Sequence, residues 1–537
     1  MAVTVEKITY TATPEQVARM HLAFDEALAS IAGELGRDYP LVIGGEERRG
    51  DRTFEVRAPA NRDVLIGRFQ AGTRDDVERA VAAAKEAFRA WAGRPYQERV
   101  AILRRAAEIV RERKFRIAAL LIHEAGKSRA EAIGEVEEGA DLIDEYAQQM
   151  EENQGYVRQL RSLDPAERNQ SVLRPYGVWA VLSPFNFPFA LSAGMSAGAL
   201  VAGNTVVFKP ASATPLAGYE LTRCYHDAGV PGGAFNYVTG SGTEVGESLA
   251  LHPSVDGVIF TGSKEVGLKL FKEVGTTYPK PCITELGGKN PVIVTAKADL
   301  SKAVEGVARS AFGFSGQKCS ACSRVYVERS LYDEFMERLT RRTQELKIGD
   351  PAKERDVFVG PVIDQRAVER YEAAVASASG GKIHTGGRRL TDGDLAKGYF
   401  VAPTVVDGLP TDHELFKREL FLPFVVVAPV DSLDEAIALA NDTEYGLCAG
   451  IFTEDSAEIE YFFDRIEAGV VYANRKGGAT TGAWPGCQSF CGWKASGSTG
   501  KGGLGPYYVP QFMKEQSRTI VVDPSEEGIA KKEAAGE

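Results

Sequence analysis

The cysteine in the most reactive setting is Cys319, which lies in the segment GQKCSAC at residues 316–322. Small residues around a thiol let it face a cleft, and a nearby cation or helix N-terminus favours the nucleophilic thiolate. Two alternatives stay open from the local pattern: a redox pair with Cys322, and half of a zinc site. The zinc site would need a second CxxC, but Cys487 and Cys491 are spaced CxxxC. By itself the segment favours a structural or redox role.

Two further side chains have the chemistry to assist a nucleophile. Glu285 follows an apolar run and precedes paired glycines in TELGGKNP, so its carboxylate can swing into a cleft as a general base. Asn186 lies between aromatic residues and prolines in SPFNFP, where its amide can donate to an oxyanion and contribute about 3 kcal/mol. The simpler alternatives are a solvated or salt-bridged glutamate and an asparagine that caps a turn.

Several residues that follow apolar runs are placed to contact a nucleotide. Lys209 ends the run at residues 205–208, a position where ligands bind in open α/β sheets. The segment GSGTEVG at residues 240–246 is one residue longer than the dinucleotide fingerprint, and FTGS at residues 260–263 repeats the pattern of a strand followed by small residues. Each of these segments alone is compatible with an ordinary turn between a strand and a helix.

Hydrophobic periodicity predicts the elements that position these residues. A helical lead opens near Pro14, a short strand follows at residues 41–43, and helical spacing predicts helices at residues 74–91, 96–123 and about 130–150. Short apolar runs, separated by helical patterns or turns, predict parallel strands in two regions: residues 178–182, 205–208, 235–238 and 258–260, then 292–294, 325–327, 424–427 and 470–472. The fold class is therefore α/β, with a charged tail at residues 523–537 that we expect to be disordered.

Composition excludes several classes of protein. The chain has 537 residues and a formal net charge of -11, and no basic stripe is interleaved with aromatic residues, so nucleic acid is not an expected partner. Seven cysteines are too few for a disulfide scaffold of this size, and six histidines give little support to a metal centre, so we expect no metal. The sequence shows neither a signal peptide nor a membrane-spanning stretch, which predicts a cytoplasmic protein and no membrane partner.

Six segments in order, SPFNFP, FKPA, FTGS, ELGGKNP, GQKC and ELFLP, resemble the aldehyde dehydrogenase superfamily over residues 40 to 520. The resemblance implies a Rossmann-type cofactor domain, an α/β catalytic domain and a small β oligomerisation arm. The corresponding limits are a helical lead at 1–40, a cofactor domain at 41–159 and 176–286, a catalytic domain at 287–485, and an arm at 160–175 and 495–522. Such an arm implies a homo-oligomer, either a dimer or a multiple of dimers.

The same resemblance assigns roles to residues. It implies that Cys319 is the nucleophile, that Glu285 activates water for hydrolysis of a thioester, and that Asn186 and the Cys319 backbone N–H bind the oxyanion. It further implies NAD as the cofactor, with Lys209 and Glu419 at the riboses, Ser263 at the pyrophosphate and Phe421 at the nicotinamide. The remaining cofactor-binding residues are Pro184, Ser212, Gly242 and Gly246. NADP is an alternative, because Ser212 stands where NAD-selective relatives often carry a glutamate that repels a 2'-phosphate.

Within the superfamily the chain is most similar to the 1-pyrroline-5-carboxylate, or glutamate-semialdehyde, dehydrogenases. The similarity includes the long N-terminal lead, the segment EGADLID at residues 138–144, GQKCSACSR and the late SGSTGKGGLGPYY. It implies NAD(P)-dependent oxidation of L-glutamate γ-semialdehyde to L-glutamate through a cysteinyl thioester, in proline catabolism. The residues that it places at the substrate are Glu138, Phe187, Lys318, Ser320, Gly503, Leu504, Gly505 and Phe512. A cation, a hydroxyl group and backbone N–H groups suit the substrate's α-carboxylate.

The chain departs from this family pattern near the substrate anchor. Leu504 stands where small residues are usual, the loop is one residue longer, SFCG replaces PFGG at residues 489–492, and Leu422 replaces the glycine before Pro423. Two alternatives therefore stay open: a dehydrogenase for another semialdehyde or an aliphatic aldehyde, and a catalytically silent binding or structural paralogue.

Overall fold

The computed structural model describes residue 7 and residues 14–475 and 483–522. The predicted disordered tail at 523–537 lies outside the described residues, so that prediction is not tested. In the described part of the chain, no helix is both long enough and apolar enough to cross a membrane.

The helices run in chain order as follows: α1 Pro14–Ile31, α2 Arg74–Ala92, α3 Tyr96–Glu112, α4 Lys114–Ala125, α5 Arg129–Glu152, α6 Ala190–Ala202, α7 Pro215–Asp227, α8 Ser248–Ala250, α9 Lys264–Glu273, α10 Leu300–Phe312, α11 Arg329–Gln344, α12 Gln365–Ser377, α13 Glu414–Lys417, α14 Leu433–Asn441 and α15 Ser456–Arg465.

The strands run in chain order as follows: β1 Arg37–Tyr39, β2 Leu41–Ile43, β3 Glu46–Arg48, β4 Thr53–Ala58, β5 Asn61–Gln70, β6 Val157–Gln159, β7 Glu167–Pro175, β8 Val178–Leu182, β9 Thr205–Lys209, β10 Phe235–Tyr237, β11 Gly257–Thr261, β12 Cys282–Glu285, β13 Asn290–Val294, β14 Cys322–Glu328, β15 Lys382–Thr385, β16 Thr404–Asp407, β17 Phe424–Val430, β18 Tyr445–Gly446, β19 Cys448–Phe452, β20 Val470–Ala473, β21 Trp493–Lys494 and β22 Met513–Val521.

The first large sheet has the strand order β12-β11-β8-β9-β10-β2-β3, and its strands from β12 to β10 are parallel. Strands β8 and β9 are buried along their whole length, because helices cover both faces of such a sheet and select continuous apolar runs. The register aligns Leu182 with Lys209 and Thr261 with Glu285, so these residues share the carboxyl edge of the sheet.

The second large sheet has the order β15-β16-β17-β14-β13-β19-β20. Its strands are parallel except β15, which runs antiparallel to β16. The chain passes from the end of β12 to the start of β13 through residues 286–289 alone, so the carboxyl edge of the first sheet adjoins the amino end of β13. Cys322 at the start of β14 pairs with Asn290, which brings the Cys319 segment to the same place.

Two smaller sheets complete the fold. One has the order β1-β5-β4, and the other has the order β22-β7-β6, in which β7 pairs with β22 from Pro175 and Met513 to Glu167 and Val521. Most of β22 is exposed to solvent, as expected of an arm that leaves the body of the protein. The limits of the domains stay a prediction.

One predicted helix is wrong in extent. Residues 96–123 form two helices, which meet at Arg113 with φ -100° and ψ 7°. Both helices pack on α5 and α7, but the break lets α3 also pack on α6 and α4 also pack on α1. Both halves keep an apolar spacing typical of a helix, so periodicity alone does not reveal the break.

Candidate active site

One cavity of about 110 Å³ lies where the two large sheets meet. It brings together these residues that the sequence had singled out: Glu138, Phe187, Glu285, Lys318, Cys319, Ser320, Gly503 and Leu504. The thiol of Cys319 is partly buried rather than sealed in the core. A nucleophile, a carboxyl group and a cation therefore share one small space, which the redox and zinc alternatives do not require.

The backbone before the nucleophile is strained. Phe314, Ser315 and Gly316 have φ values of 50°, 55° and 68°, a left-handed run that costs about 1–2 kcal/mol for each residue with a side chain. A Cβ on Gly316 would lie 2.1 Å from the carbonyl oxygen of Leu422, so only glycine fits there. The turn is held by Ser315, whose Oγ donates to the carbonyl of Gly360 at 2.7 Å. The surroundings thus impose the turn that aims Cys319.

Asn290 fixes the segment after the turn. Its Nδ2 donates to the carbonyl oxygens of Cys319 at 2.7 Å and Ala321 at 2.9 Å, and its Oδ1 accepts the N–H of Cys448 at 2.9 Å. One buried amide therefore connects the nucleophile segment to the start of β19. Sequence reasoning did not assign this role, although Asn290 stands inside the ELGGKNP segment.

The thiol of Cys319 is protonated at neutral pH in these surroundings. Burial raises its pKa to about 12, the carboxyl groups of Glu419 and Glu285 add to that rise, and the backbone N–H groups of Ser320 and Cys319 oppose it. A thiolate here needs either a positive charge close by or a neighbouring group that accepts its proton.

Glu285 ends β12 and lies half-buried at the cavity wall. Burial raises the pKa of its carboxyl group well above the usual range, and the N–H of Gly492, which donates to it, opposes the rise only in part. Among the residues that the structure describes, its Oε2 has no hydrogen-bond partner. The carboxyl group therefore holds a proton more tightly than an exposed glutamate does, which suits a group that takes part in proton transfer.

Asn186 lies in the loop between β8 and α6 and is 3% exposed. It does not itself line the cavity, but the next residue, Phe187, does. The loop starts at Ser183, whose N–H donates to the carbonyl of Lys209 at 3.2 Å. The structure therefore places Asn186 beside the cavity wall, at the carboxyl edge of the first sheet.

Lys209 and its neighbours form a second group at that edge. Burial lowers the pKa of the Lys209 ammonium to about 8, and its Nζ donates to the carbonyl of Pro210 at 2.9 Å. A Cβ on Gly246 would lie 3.6 Å from Cδ of Lys209, so these two predicted residues are neighbours. Ser212 Oγ donates to the carbonyl of Gly240 at 2.9 Å, which places it in the same loop cluster.

Two helical N-termini open near this edge. Gly242 begins a π-helical turn that ends at Glu247, and no atom lies within 4 Å of where its Cβ would be. Ser263 caps α9, with its Oγ accepting the N–H of Val266 at 3.4 Å. Helix N-termini with open approaches bind phosphate groups, so this edge fits the pyrophosphate of a dinucleotide.

Glu419 reaches from the second sheet toward the paired glycines after Glu285. Its Oε1 accepts the N–H of Gly288 at 2.9 Å, and a Cβ on Gly287 would overlap its Oε2 at 2.0 Å. Burial raises the pKa of the Glu419 carboxyl to about 7, and the Gly288 N–H opposes that rise. Phe421 adopts φ 61° and lies 5.8 Å from the ring of Phe185, whereas Pro184 is half-buried in the preceding loop.

The predicted substrate anchor is assembled only in part. Lys318 lines the cavity, and its Nζ lies 2.6 Å from Oε1 of Glu131. Leu504 has φ 67°, and its N–H donates to the hydroxyl group of Tyr146 at 3.1 Å, so that N–H is already engaged. Gly505 is not among the cavity-lining residues, and its carbonyl accepts Nε2 of Gln149 at 3.1 Å.

Phe512 does not line the cavity. It is fully buried and packs against Trp179 with ring centroids 4.6 Å apart and against Tyr508 at 5.2 Å. The prediction did not include the aromatic residues that do line the wall, Tyr146, Phe490 and Tyr508. Tyr146 and Tyr508 stack at 4.7 Å. Tyr146 belongs to α5, whose apolar spacing predicts only a packed helix and gives no sign that this ring faces a ligand.

A family model described as "Aldehyde dehydrogenase family" matches residues 46–517. The chain belongs to the aldehyde dehydrogenase family. The resemblance read from the six ordered segments is therefore confirmed, and so is the predicted aldehyde dehydrogenase fold with its parallel sheets.

Similar proteins within the aldehyde dehydrogenase family include 1-pyrroline-5-carboxylate dehydrogenases. A 1-pyrroline-5-carboxylate dehydrogenase from Geobacillus kaustophilus is 40% identical over 505 residues, which cover 93% of this chain and 95% of the relative. The crystal structure of a 1-pyrroline-5-carboxylate dehydrogenase from Thermus with bound NAD matches with a TM-score of 0.90 and 34% identity, covering 97% of this chain and 100% of that chain.

A third similar structure is longer than this chain. Proline utilization A from Bdellovibrio bacteriovorus, inactivated by N-propargylglycine, is 36% identical with a TM-score of 0.90. The match covers 96% of this chain but only 53% of that protein. This chain therefore spans about half the length of that relative.

Proposed function

We propose that this chain oxidises L-glutamate γ-semialdehyde, in equilibrium with 1-pyrroline-5-carboxylate, to L-glutamate through a thioester on Cys319. The observation that carries the proposal is a single cavity that holds Cys319, Glu285 and Lys318 together. The first two residues suit thioester formation and hydrolysis, and the third suits an aldehyde that carries a carboxylate. Relatives that match almost the whole chain bear the name of this activity, which belongs to proline catabolism.

The first step is attack of the Cys319 sulfur on the aldehyde carbon. A new C–S bond forms, and the carbonyl oxygen becomes an oxyanion. The amide of Asn186 and the backbone N–H of Cys319 are the donors that we assign to that oxyanion. Because the thiol carries its proton at neutral pH, that proton must leave as the C–S bond forms, and it passes to solvent from the partly buried sulfur.

NAD is the cofactor that fits the carboxyl edge, and it supplies an acceptor for the hydride that leaves the carbon on Cys319. We assign Lys209 and Glu419 to its riboses, Ser263 and the N-terminus of α9 to its pyrophosphate, and Phe421 to its nicotinamide. Gly242 and Gly246 leave room for close approach of the backbone. The hydroxyl group of Ser212 carries no charge against a 2'-phosphate, so NADP stays an alternative cofactor.

The last step is hydrolysis of the thioester. The ionised form of Glu285 takes a proton from water, and the hydroxide oxygen bonds to the acyl carbon. The C–S bond then breaks, the Cys319 thiolate leaves and takes up the proton of the new acid, and the product departs as a carboxylate. Glu285 returns its proton to solvent before the next turnover. The raised pKa of Glu285 suits this task, because a carboxylate with the usual pKa of glutamate would be too weak a base to take a proton from water. An enzyme that passed the acyl group to another thiol would not require this base.

The carboxylate of the substrate is assigned to Lys318 and Ser320, which flank the nucleophile. Backbone N–H groups near Gly503 complete the anchor, and the rings of Phe187, Tyr146 and Tyr508 contact the aliphatic part. Glu138 lies on the same wall, where we assign it a role in shaping the entrance. Phe512 supports Tyr508 from behind instead of contacting the substrate.

Initial rates of NAD and NADP reduction test the function. The substrates are glutamate semialdehyde and a neutral aliphatic aldehyde of equal chain length. We expect kcat/KM for the semialdehyde to be at least about tenfold higher than for the neutral aldehyde, because one charge-assisted hydrogen bond to the carboxylate contributes about that factor. A preference for the neutral aldehyde would select the alternative substrate class. Failure of an aldehyde to form an adduct with the parent protein, with Cys319→Ala as the blank, would select the silent paralogue.

An aldehyde is the small-molecule partner, and we further propose self-association through the β22-β7-β6 sheet. The exposed face and edge of β22 support that assignment. Light scattering after gel filtration measures the subunit number. A monomer at micromolar protein concentration would contradict the proposed self-association. The cytoplasmic location stays a prediction from the sequence.

A further inference from the structure

Lys127 is a fully buried lysine that lies between two aromatic rings. It occupies the short link between α4 and α5 and has no exposed surface. Its Nζ lies 3.6 Å from the ring centroid of Phe187 and 4.3 Å from that of Phe314. An ammonium over an aromatic face is attracted to it, most strongly when water is excluded. Lys127 thus connects a ring of the cavity wall to a ring of the strained turn before Cys319.

The charge of Lys127 is balanced by Glu135, which is equally buried. The ammonium and Oε2 of Glu135 are 2.7 Å apart. Oε1 of the same carboxylate accepts the N–H of Phe189 at 2.8 Å and of Ala190 at 3.3 Å. These two N–H groups belong to the first turn of α6, which follows the SPFNFP segment directly. The pair therefore contacts the ring of Phe187 inside that segment and the backbone of the two residues that directly follow the segment.

Asn186 lies immediately before these two attachments in the chain. Phe187, the next residue, is held by the ammonium, and Phe189 is held by the carboxylate. On the other side, Phe314 belongs to the left-handed turn that leads to Cys319. A shift of about 1 Å in a reacting group can lower a rate on the order of 10²-fold, so the relative placement of Asn186 and Cys319 matters for the reaction.

We propose that the Lys127–Glu135 pair is a positioning device that sets Asn186 against Cys319, so that the oxyanion donor and the nucleophile keep one geometry. The proposal rests on the oxyanion role assigned to Asn186 under the proposed function. Lys127 touches neither substrate nor cofactor in this assignment. It acts through Phe187 and Phe314, and Glu135 acts through the first turn of α6.

A double-mutant cycle tests the proposal. Single-turnover hydride transfer is measured at saturating aldehyde and NAD for the parent, Lys127→Met, Asn186→Ala and the double variant. We expect Asn186→Ala to slow transfer on the order of 10²–10³-fold and Lys127→Met about 10–100-fold. Because Lys127 acts by setting Asn186 against Cys319, its effect should be largely absent once the Asn186 amide is removed, and the double variant should be no more than about threefold slower than Asn186→Ala alone. Factors that multiply, or an unchanged rate in Lys127→Met, would overturn the positioning role.

Glu124 offers a matched control. Like Glu135 it is a buried glutamate that accepts two N–H groups at the start of a helix, those of Leu216 at 2.6 Å and Ala217 at 2.9 Å in α7. Glu124→Gln should leave hydride transfer within about twofold of the parent, whereas Glu135→Gln should slow it about tenfold, with similar losses of thermal stability. Equal rates in these two variants would refute the proposal even if Lys127→Met does not fold.

The cycle separates failure of this inference from failure of the proposed function. A change of less than about threefold in Asn186→Ala alone would contradict the oxyanion role itself. A large loss in Asn186→Ala with an independent or absent effect of Lys127→Met would contradict only the positioning role.

Discussion

Replacing Glu285 by Gln should separate the two halves of the reaction. The amide keeps the size of the side chain and can still accept the Gly492 N–H, so the cavity wall is preserved. It cannot take a proton from water. General-base catalysis contributes about 10²–10⁴-fold, or about 3–5 kcal/mol of the barrier, and we expect the hydrolytic step to slow by that factor.

Hydride transfer should survive this change, because it precedes hydrolysis and the sulfur remains in place. Stopped-flow absorbance should therefore show a burst that approaches one reduced cofactor per Cys319, followed by a slow steady state. Mass spectrometry of the quenched protein should find the acyl group on Cys319. The Cys319→Ala protein, which cannot form the thioester, should show neither signal.

The pH dependence gives an independent check on Glu285. Burial raises its pKa, and a base must lose its own proton before it can accept another, so the steady-state rate of the parent should rise as pH rises. The rate of Glu285→Gln should lack that rise. A burst phase slowed as much as the steady state, or an unchanged pH profile, would refute the assignment of Glu285 to hydrolysis.

Three further predictions concern the substrate, the nucleophile segment and the cofactor. Lys318→Met is made together with Glu131→Gln, so that the carboxylate that pairs with Lys318 is not left alone. In rate assays this double change should lower kcat/KM for glutamate semialdehyde about 10–100-fold and change kcat/KM for a neutral aldehyde less than about threefold. Equal losses with both aldehydes would argue for a structural role of Lys318. Asn290→Leu removes three hydrogen bonds of about 1 kcal/mol each, so the free energy of unfolding measured in denaturant should fall by about 3 kcal/mol. An unchanged denaturation midpoint would contradict the stabilising role of the Asn290 amide. Ser212→Glu should reduce the ratio of NADP to NAD activity about tenfold in initial-rate assays, and no change would place Ser212 away from the ribose.

The sequence predicted the sheets where burial acts on both faces of a strand. Strands such as β8 and β9 are continuous apolar runs, so their extents could be read directly. Strand β19 was missed, because Cys448–Phe452 contains alanine and glycine, which are weak strand formers. Its place in the sheet depends on pairing with β20 and with β13, and β13 is distant in sequence.

In the candidate site, too, some residues could be predicted from local sequence and others could not. Cys319 and Glu285 lie in ordered motifs, and the structure brings both to one cavity. Phe512 illustrates what a motif cannot resolve, since the residue is aromatic and close to the cavity but packs against Trp179. Asn290 and Lys127 act through contacts with carbonyl groups and rings far away in the chain, which leave no local pattern.

The left-handed run at Phe314 and Ser315 makes the reactive centre less robust than the body of the protein. Those backbone angles persist only while residues 360–363 and Leu422 pack against the turn. When heating breaks these contacts, the turn can relax to less strained backbone angles. Catalysis would then be lost while the helices and sheets remain intact. Heat inactivation measured by activity and melting measured by circular dichroism should consequently report two different temperatures, with activity failing first.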